Sequence, residues 1–203
     1  MIAHRCRWIA TVRRLARDRR GVGALEFAII APVMLLLYLG GVQLMDAASA
    51  YRKVAISVRS LADLSTQNEQ VTPAEVIAIL NGARQVMTPY STANSSMSIV
   101  AIDINATGNP SITWVCVKAE AASCGPSYAG LNVSTVPIPA ALRVPNTTLL
   151  YSTLTLRYVP VAGGSIIGTI PMKDYLFMSP RRSPSVCLNT GTPSAPTCVG
   201  KSV

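Results

Sequence analysis

The sequence predicts an α+β fold in which a long N-terminal transmembrane helix continues as an amphipathic helix and packs on a small antiparallel β-sheet. Three observations lead there. Residues 27–45 form a run of nineteen without a charge, and at about 1.5 Å per residue a helix of that length nearly spans a ~30 Å hydrocarbon core. Apolar residues then recur at three- and four-residue intervals through Leu44, Ala47, Ala48, Tyr51, Val54, Ala55, Val58, Leu61 and Ala62. From Met97 onward the texture changes to β-branched residues broken by turn formers.

In chain order, these signals divide the sequence into a basic leader (1–21), a transmembrane and amphipathic helix (22–64), an α+β domain (65–180) and a Pro/Ser-rich tail (181–203). The first half of the helix is apolar all round and suits lipid or a helix bundle. Its second half has one apolar stripe, with Arg52, Lys53, Arg59 and Asp63 off it, and should pack on the domain. Next, Thr72-Pro73-Ala74-Glu75 reads as a helix start: Thr72 can cap the free amides, Pro73 suits the first helical position, and Glu75 can close a capping box. The short helix that follows is expected to show Val76, Ile79, Leu80, Ala83 and Val86 to the core and to end before Pro89.

Ser98-Ile99-Val100-Ala101-Ile102-Asp103-Ile104 and Ile112-Thr113-Trp114-Val115-Cys116-Val117 flank Thr107-Gly108-Asn109-Pro110 and predict a hairpin. A second pair of strands, 149–161 and 166–178, is joined through Ala162-Gly163-Gly164-Ser165, a connection able to supply positive φ angles. The stretch between the pairs, 119–146, is rich in Pro, Ser and Gly and reads as mostly loop. The tail lacks periodicity and needs a tie to be ordered.

The formal net charge is +9, and the leader holds six of those charges, with seven arginines against Asp18 alone. A basic cluster pressed against a hydrophobic run orients a membrane protein, whereas a nucleic-acid surface needs basic residues spread over the folded part. The charge therefore argues for the membrane and against nucleic acid. By the positive-inside rule the N-terminus stays cytoplasmic and the C-terminal domain is periplasmic or extracellular, on a single-pass inner membrane protein. Cys116, Cys124, Cys187 and Cys198 would then sit in an oxidising compartment, apart from Cys6 in the leader. They contain no Cys-x-x-Cys, and the only histidine, His4, is in the leader, so no metal or other cofactor is expected. Two disulfides are the better reading. Cys116 with Cys124 and Cys187 with Cys198 close the shortest loops, although four cysteines allow three connectivities.

Nothing in the chain signals catalysis. It has no Gly-x-Ser-x-Gly, no phosphate loop and no histidine outside the leader to serve a nucleophile, and Asp103, Glu120 and Asp174 are isolated acids. No enzyme activity and no small-molecule substrate are expected. Asn94, Asn105, Asn132 and Asn146 begin Asn-x-Ser/Thr triplets that read as polar loops.

The informative residues straddle the start of the hydrophobic run: Arg19-Arg20-Gly21-Val22-Gly23-Ala24-Leu25-Glu26-Phe27, followed by Ala31-Pro32. Here the chain resembles prepilins, and most closely the TadE-like pseudopilins of tight-adherence (Flp) pilus systems. The resemblance implies a pilin-like fold and cleavage by a prepilin peptidase after Gly21, leaving Val22 as the first mature residue and Glu26 as the fifth. It also implies that Glu26, next to Phe27, meets the new N-terminal amine of a neighbouring pilus or pseudopilin subunit and sets its register. Glycine suits a scissile bond because it resists helix and presents no side chain. A carboxylate at the edge of a membrane helix calls for a partner, though one in this place also fits a side chain that simply reaches interfacial water. Val22 departs from the aromatic first residue of many type IV pilins, so N-methylation is not carried over. Further on, Ile112-Thr113-Trp114, Tyr158-Val159-Pro160 and Pro180-Arg181-Arg182 resemble the sparse C-terminal pattern of TadE-like proteins. Pro32 marks a kink at least, because a membrane helix tolerates proline where neighbours satisfy the freed carbonyl.

The competing reading is a secreted or signal-anchored extracytoplasmic binding protein. Ala48-Ser49-Ala50 resembles a signal-peptidase site after the hydrophobic run, but cutting there would sever the amphipathic stripe from its own helix. Whether a pseudopilin enters the fibre or primes it from the base is not encoded in these patterns.

Overall fold

The computed structural model describes residues 21–93, 95–119, 121–161, 164, 168–191, 198 and 199. The basic leader with His4 and Cys6, together with Asn94, Glu120 and most of the Ala162-Gly163-Gly164-Ser165 connection, lies outside them. The chain divides into two units, Met1–Met45 and Asp46–Val203. Helix α1 (Val22–Thr66) belongs to both.

In the first unit α1 passes through Pro32 without interruption. An uncharged stretch of leucine, isoleucine and valine forms helix readily, since each amide is bonded within the segment and no outside partner is needed. None of its most apolar window is buried against protein.

The second unit begins with residues 46–66 of α1, whose Ala50, Val54, Ser57, Val58, Leu61, Ala62, Ser65 and Thr66 are buried. Val54, Val58, Leu61 and Ala62 belong to the stripe expected from the sequence, whereas Ala48 and Tyr51, expected on the same face, are exposed and Ala50 is buried instead. After strand β1 (Gln70–Val71) comes α2 (Pro73–Val86), which opens on the expected box: the Glu75 amide donates to Thr72 Oγ1 at 3.3 Å, and the Thr72 amide donates to Glu75 Oε2 at 2.8 Å. Val76, Leu80 and Ala83 are buried and Ile79 packs beside them. Val86, expected on the same face, is exposed, and Met87 takes its place in the core. The cause is local: the chain turns out of the helix at Met87, whose amide donates to the Arg84 carbonyl.

Strands β2 (Ser95–Ile104), β3 (Pro110–Lys118), β4 (Ala122–Gly125), β5 (Thr147–Tyr158) and β6 (Ile170–Met178) form one antiparallel sheet of order β4-β3-β2-β5-β6. The two expected strand pairs are therefore halves of one sheet, joined where β2 pairs with β5 along its whole length. Strand β4 lies in the stretch that read as loop. Four residues with two polar side chains and a glycine carry no usable alternation, and the strand is held by pairing Cys116 with Cys124. Strand β6 starts at Ile170, after Gly168 at φ 77° and Thr169 in the connection, and residues 166 and 167 of the expected strand lie outside the described residues.

Both sheet faces are covered. Met97, Ile99, Ala101, Trp114, Cys116, Leu150, Leu154 and Leu156 point toward α1 and α2. Val100, Ile102, Ile104, Val115, Val117, Leu149 and Tyr151 form a second core with Val136 and Ile138 from the segment carrying two short 3₁₀ turns, Val133–Thr135 and Ala140–Leu142. A bulge keeps the faces sorted. Trp114 pairs with Ala101 but Ile112 pairs with Ile102, so Thr113 is the extra residue, and Trp114 and Ile112 reach opposite sides.

The tail is tied. Strand β7 (Cys187–Asn189) runs parallel to β1, and β8 (Cys198–Val199) runs antiparallel to β7, making a second sheet. Leu188 and Val186 enter the main core, and the Trp114 indole donates to the Val186 carbonyl at 2.8 Å.

Candidate functional site

The candidate site is α1 itself, taken as two segments, each within its own unit. In the first, Gly21 precedes the helix, and a Cβ placed on it would meet nothing within 4 Å. Val22 is exposed, Glu26 is exposed, and Phe27 is 71% exposed. The backbone at Gly21 is thus open to an approaching protein, and Glu26 and Phe27 are adjacent on an uncovered helical turn. No partner for Glu26 occurs among the described residues.

In the second unit the entry of α1 is fastened by residues that sequence reasoning did not single out. Asp46 is the first residue after the uncharged run. Its Oδ2 accepts from the Tyr158 hydroxyl at 2.5 Å and its Oδ1 accepts from the Tyr90 hydroxyl at 2.9 Å. The two rings meet edge to face with centroids 6.1 Å apart. About two turns further on, Lys53 donates to the Thr88 carbonyl and lies over the Tyr90 ring. Hydrogen bonds to a carboxylate acceptor are short and strong, so Asp46 fixes this part of α1 against the end of β5. Burial, and then the hydrogen bond and charge of Asp46, push the Tyr158 hydroxyl up to about 12 and shift Tyr90 in the same direction. Both phenols stay protonated donors at neutral pH. A signal for this site was available: an acid directly after an uncharged span, in a domain whose strand ends in tyrosine.

The other end of the buried segment is fastened as well. The Arg181 amide donates to the Thr66 carbonyl at 3.1 Å, and its guanidinium lies 2.8 Å from Asp63. Trp114, Tyr158 and Arg181 each make a long-range tie: Trp114 to the tail, Tyr158 and Arg181 to residues 46–66 of α1.

Cys116 and Cys124 form a disulfide across β3 and β4. Cys187 is also disulfide-bonded, and Cys198 lies on the neighbouring β8. Among the described residues no group of three or more His, Cys, Asp or Glu side chains is placed to hold a metal.

Comparisons with curated proteins and with solved structures give no match. A family model does match, that of TadE-like protein, over residues 21–63. The matched segment starts on Gly21, takes in Glu26 and the whole uncharged run, and ends on the Asp63 that meets Arg181. Over this N-terminal segment the chain is similar to TadE-like protein.

Proposed function

We propose that this chain is a minor pseudopilin-like component of tight-adherence (Flp) pilus biogenesis. It is inserted in the inner membrane with its N-terminus cytoplasmic and residues 46–203 on the far side. A prepilin peptidase cuts it after Gly21, and it acts by packing its exposed apolar helix against other pilus or pseudopilin subunits, not by catalysis. The observation that carries this reading is the family match beginning on Gly21, on a helix whose apolar surface through Met45 is exposed. So much uncovered apolar area is stable only in lipid or against other apolar helices. Glu26 supplies the polar element that distinguishes one helix register from the next, by meeting the free amine that cleavage creates on a neighbour.

The signal-anchored alternative fares worse. Ala50 is fully buried in the main core, and Asp46 holds both tyrosines. Cleavage after Ala50 would remove both from the domain they stabilise.

The test is the mature N-terminus, read by mass spectrometry of membrane fractions. The expected start is Val22, and Gly21→Val should block the cut because a β-branched side chain fills the space that glycine leaves open. A mature chain starting at Tyr51 would overturn the proposal in favour of the signal-anchored reading.

A further inference from the structure

The second unit has an end that can be recognised from its own ties. Residues 46–66 of α1 and strand β5 run in opposite directions over the same core, fastened by Asp46 to Tyr158 at one end and by Thr66 and Asp63 to Arg181 at the other. Strand β6 pairs Ile170 with Tyr158 and Met178 with Leu150. The β5–β6 connection therefore leaves the sheet at the Asp46 end. Asp46 follows Met45 directly, so this is the end at which the chain enters the domain from its uncharged run.

What emerges there is unusual for a loop. Arg157 is exposed, Val159 is 56% exposed and Val161 is 89% exposed, the highest value of any large apolar residue on the described chain. Residues 158–172 contain no charge at all, although connections facing water are normally polar. Val159 is also held in place: the chain folds back so that Gly164 approaches its Cγ1, and a Cβ on that glycine would come within 3.2 Å of it. Two aliphatic side chains are thus displayed at the Asp46 end of the second unit, with Arg157 two residues before the first of them.

We propose that this β5–β6 turn rests in the headgroup region of the lipid surface from which α1 emerges, Val159 and Val161 entering the interface and Arg157 pairing with lipid phosphate. Short apolar insertions backed by a basic residue bind such surfaces through buried area and attraction to anionic lipid. The Asp46 clamp ties the start of the second unit's helical segment to the strand end from which the turn leaves. The inference rests on the reading of residues 27–45 as a membrane span.

The experiment uses the full chain, one copy per lipid nanodisc of phosphatidylethanolamine and phosphatidylglycerol, with the disulfides intact. Three variants are compared, Val161→Trp, Arg182→Trp at the opposite end of the domain and Leu36→Trp within the span, with the emission of the unsubstituted protein subtracted. Lipid brominated close to the headgroup should quench Val161→Trp more than lipid brominated deep in the chain, and should leave Arg182→Trp unquenched. Leu36→Trp should be quenched by the deep bromines. If Leu36→Trp is quenched while Val161→Trp is no more affected than Arg182→Trp, the turn does not touch lipid and this inference is overturned, the membrane span standing. If Leu36→Trp is quenched by neither lipid, the span itself fails and the inference falls with it.

Discussion

Over residues 22–45, α1 exposes Leu36 at 72%, Phe27 at 71% and nearly every other apolar side chain, whereas from Ala50 onward the same helix buries Val54, Val58 and Leu61 almost completely. Composition explains the difference. The first segment is apolar on all sides and has no polar face to turn toward water, so an apolar medium is the environment in which it is stable. The second alternates a stripe of small and branched apolar residues with Arg52, Arg59 and Ser60, so it has one side for a core and one for solvent. A continuous helix therefore obeys two packing rules, and the change falls at Asp46, where the first carboxylate after the run is captured by two tyrosines.

The largest break of that comparison should come from equal truncations on either side of it. Leu61 is fully buried in the main core, and Leu61→Ala should cost on the order of 2–5 kcal/mol of domain stability. Leu36→Ala should leave that stability unchanged, because Leu36 is 72% exposed. Urea unfolding in detergent, followed by the fluorescence of buried Trp114, checks both. Equal losses would mean that the two segments are stabilised together.

Glu26→Ala separates the segments in the opposite sense. The domain should keep its stability and the chain should still insert, since removing a carboxylate makes the segment more apolar. If Glu26 pairs with a neighbour's amine in a poorly hydrated contact, losing it leaves that amine unpaired, at a cost of roughly 2–5 kcal/mol of association. Crosslinking between subunits and pilus counts in a strain with normal membrane levels of the variant measure this. Wild-type values would reduce Glu26 to an interfacial residue.

The clamp at the boundary should be smaller and visible in pH. Tyr158→Phe removes one charge-assisted hydrogen bond, worth about 1.5–3 kcal/mol. The folded state raises the Tyr158 hydroxyl from 10.0 to about 12. The neutral phenol is therefore favoured by folding, and its contribution is fully present below pH 10.0 and lost as pH rises toward 12. Stability of the wild type should fall across that window, and the Phe variant should show a flatter fall. Parallel slopes would mean that the phenol is not held by Asp46.

Much of this fold could be read before any coordinates, for reasons that differ by element. The run at 27–45, the stripe through Leu61 and the Thr72–Glu75 box are local patterns, and each is legible because the physics that forms it acts over a few residues. The order of the sheet is not local. That β2 pairs with β5 is decided by which strands share inward-facing residues such as Ile99, Leu150 and Leu154, and two separate hairpins would have shown the same texture. Strand β4 and the tail strands are too short to show alternation, and β7 is held by β1, more than a hundred residues earlier in the sequence. At the candidate site the proposed roles of Gly21 and Glu26 rest on spacing within a contiguous motif. Asp46, Tyr90 and Tyr158 were not, because only the fold brings them together.

The smallest expected effect lies at the start of α2, well inside the second unit and unrelated to the membrane segment. Thr72→Ala removes the hydroxyl that accepts from the Glu75 amide and should cost about 1 kcal/mol. Packing of Val76, Leu80 and Ala83 keeps the helix in place, so the loss should stay local. Acid titration refines the prediction. The Thr72 amide, and then its hydroxyl, hold the Glu75 carboxyl below its ordinary value of 4.5. Folding therefore favours the carboxylate, and its contribution is present above pH 4.5 and lost as pH falls through the lowered value. In Thr72→Ala the amide donor remains and the hydroxyl donor does not, so the acid-dependent loss should shrink without vanishing. In Glu75→Gln the share of the loss that comes from residue 75 should vanish, because that side chain no longer titrates. Urea midpoints for the three proteins between neutral pH and about pH 3 make the comparison. An acid-dependent loss in Thr72→Ala equal to that of the wild type would assign the whole effect to the backbone amide and leave the threonine hydroxyl as a cap alone.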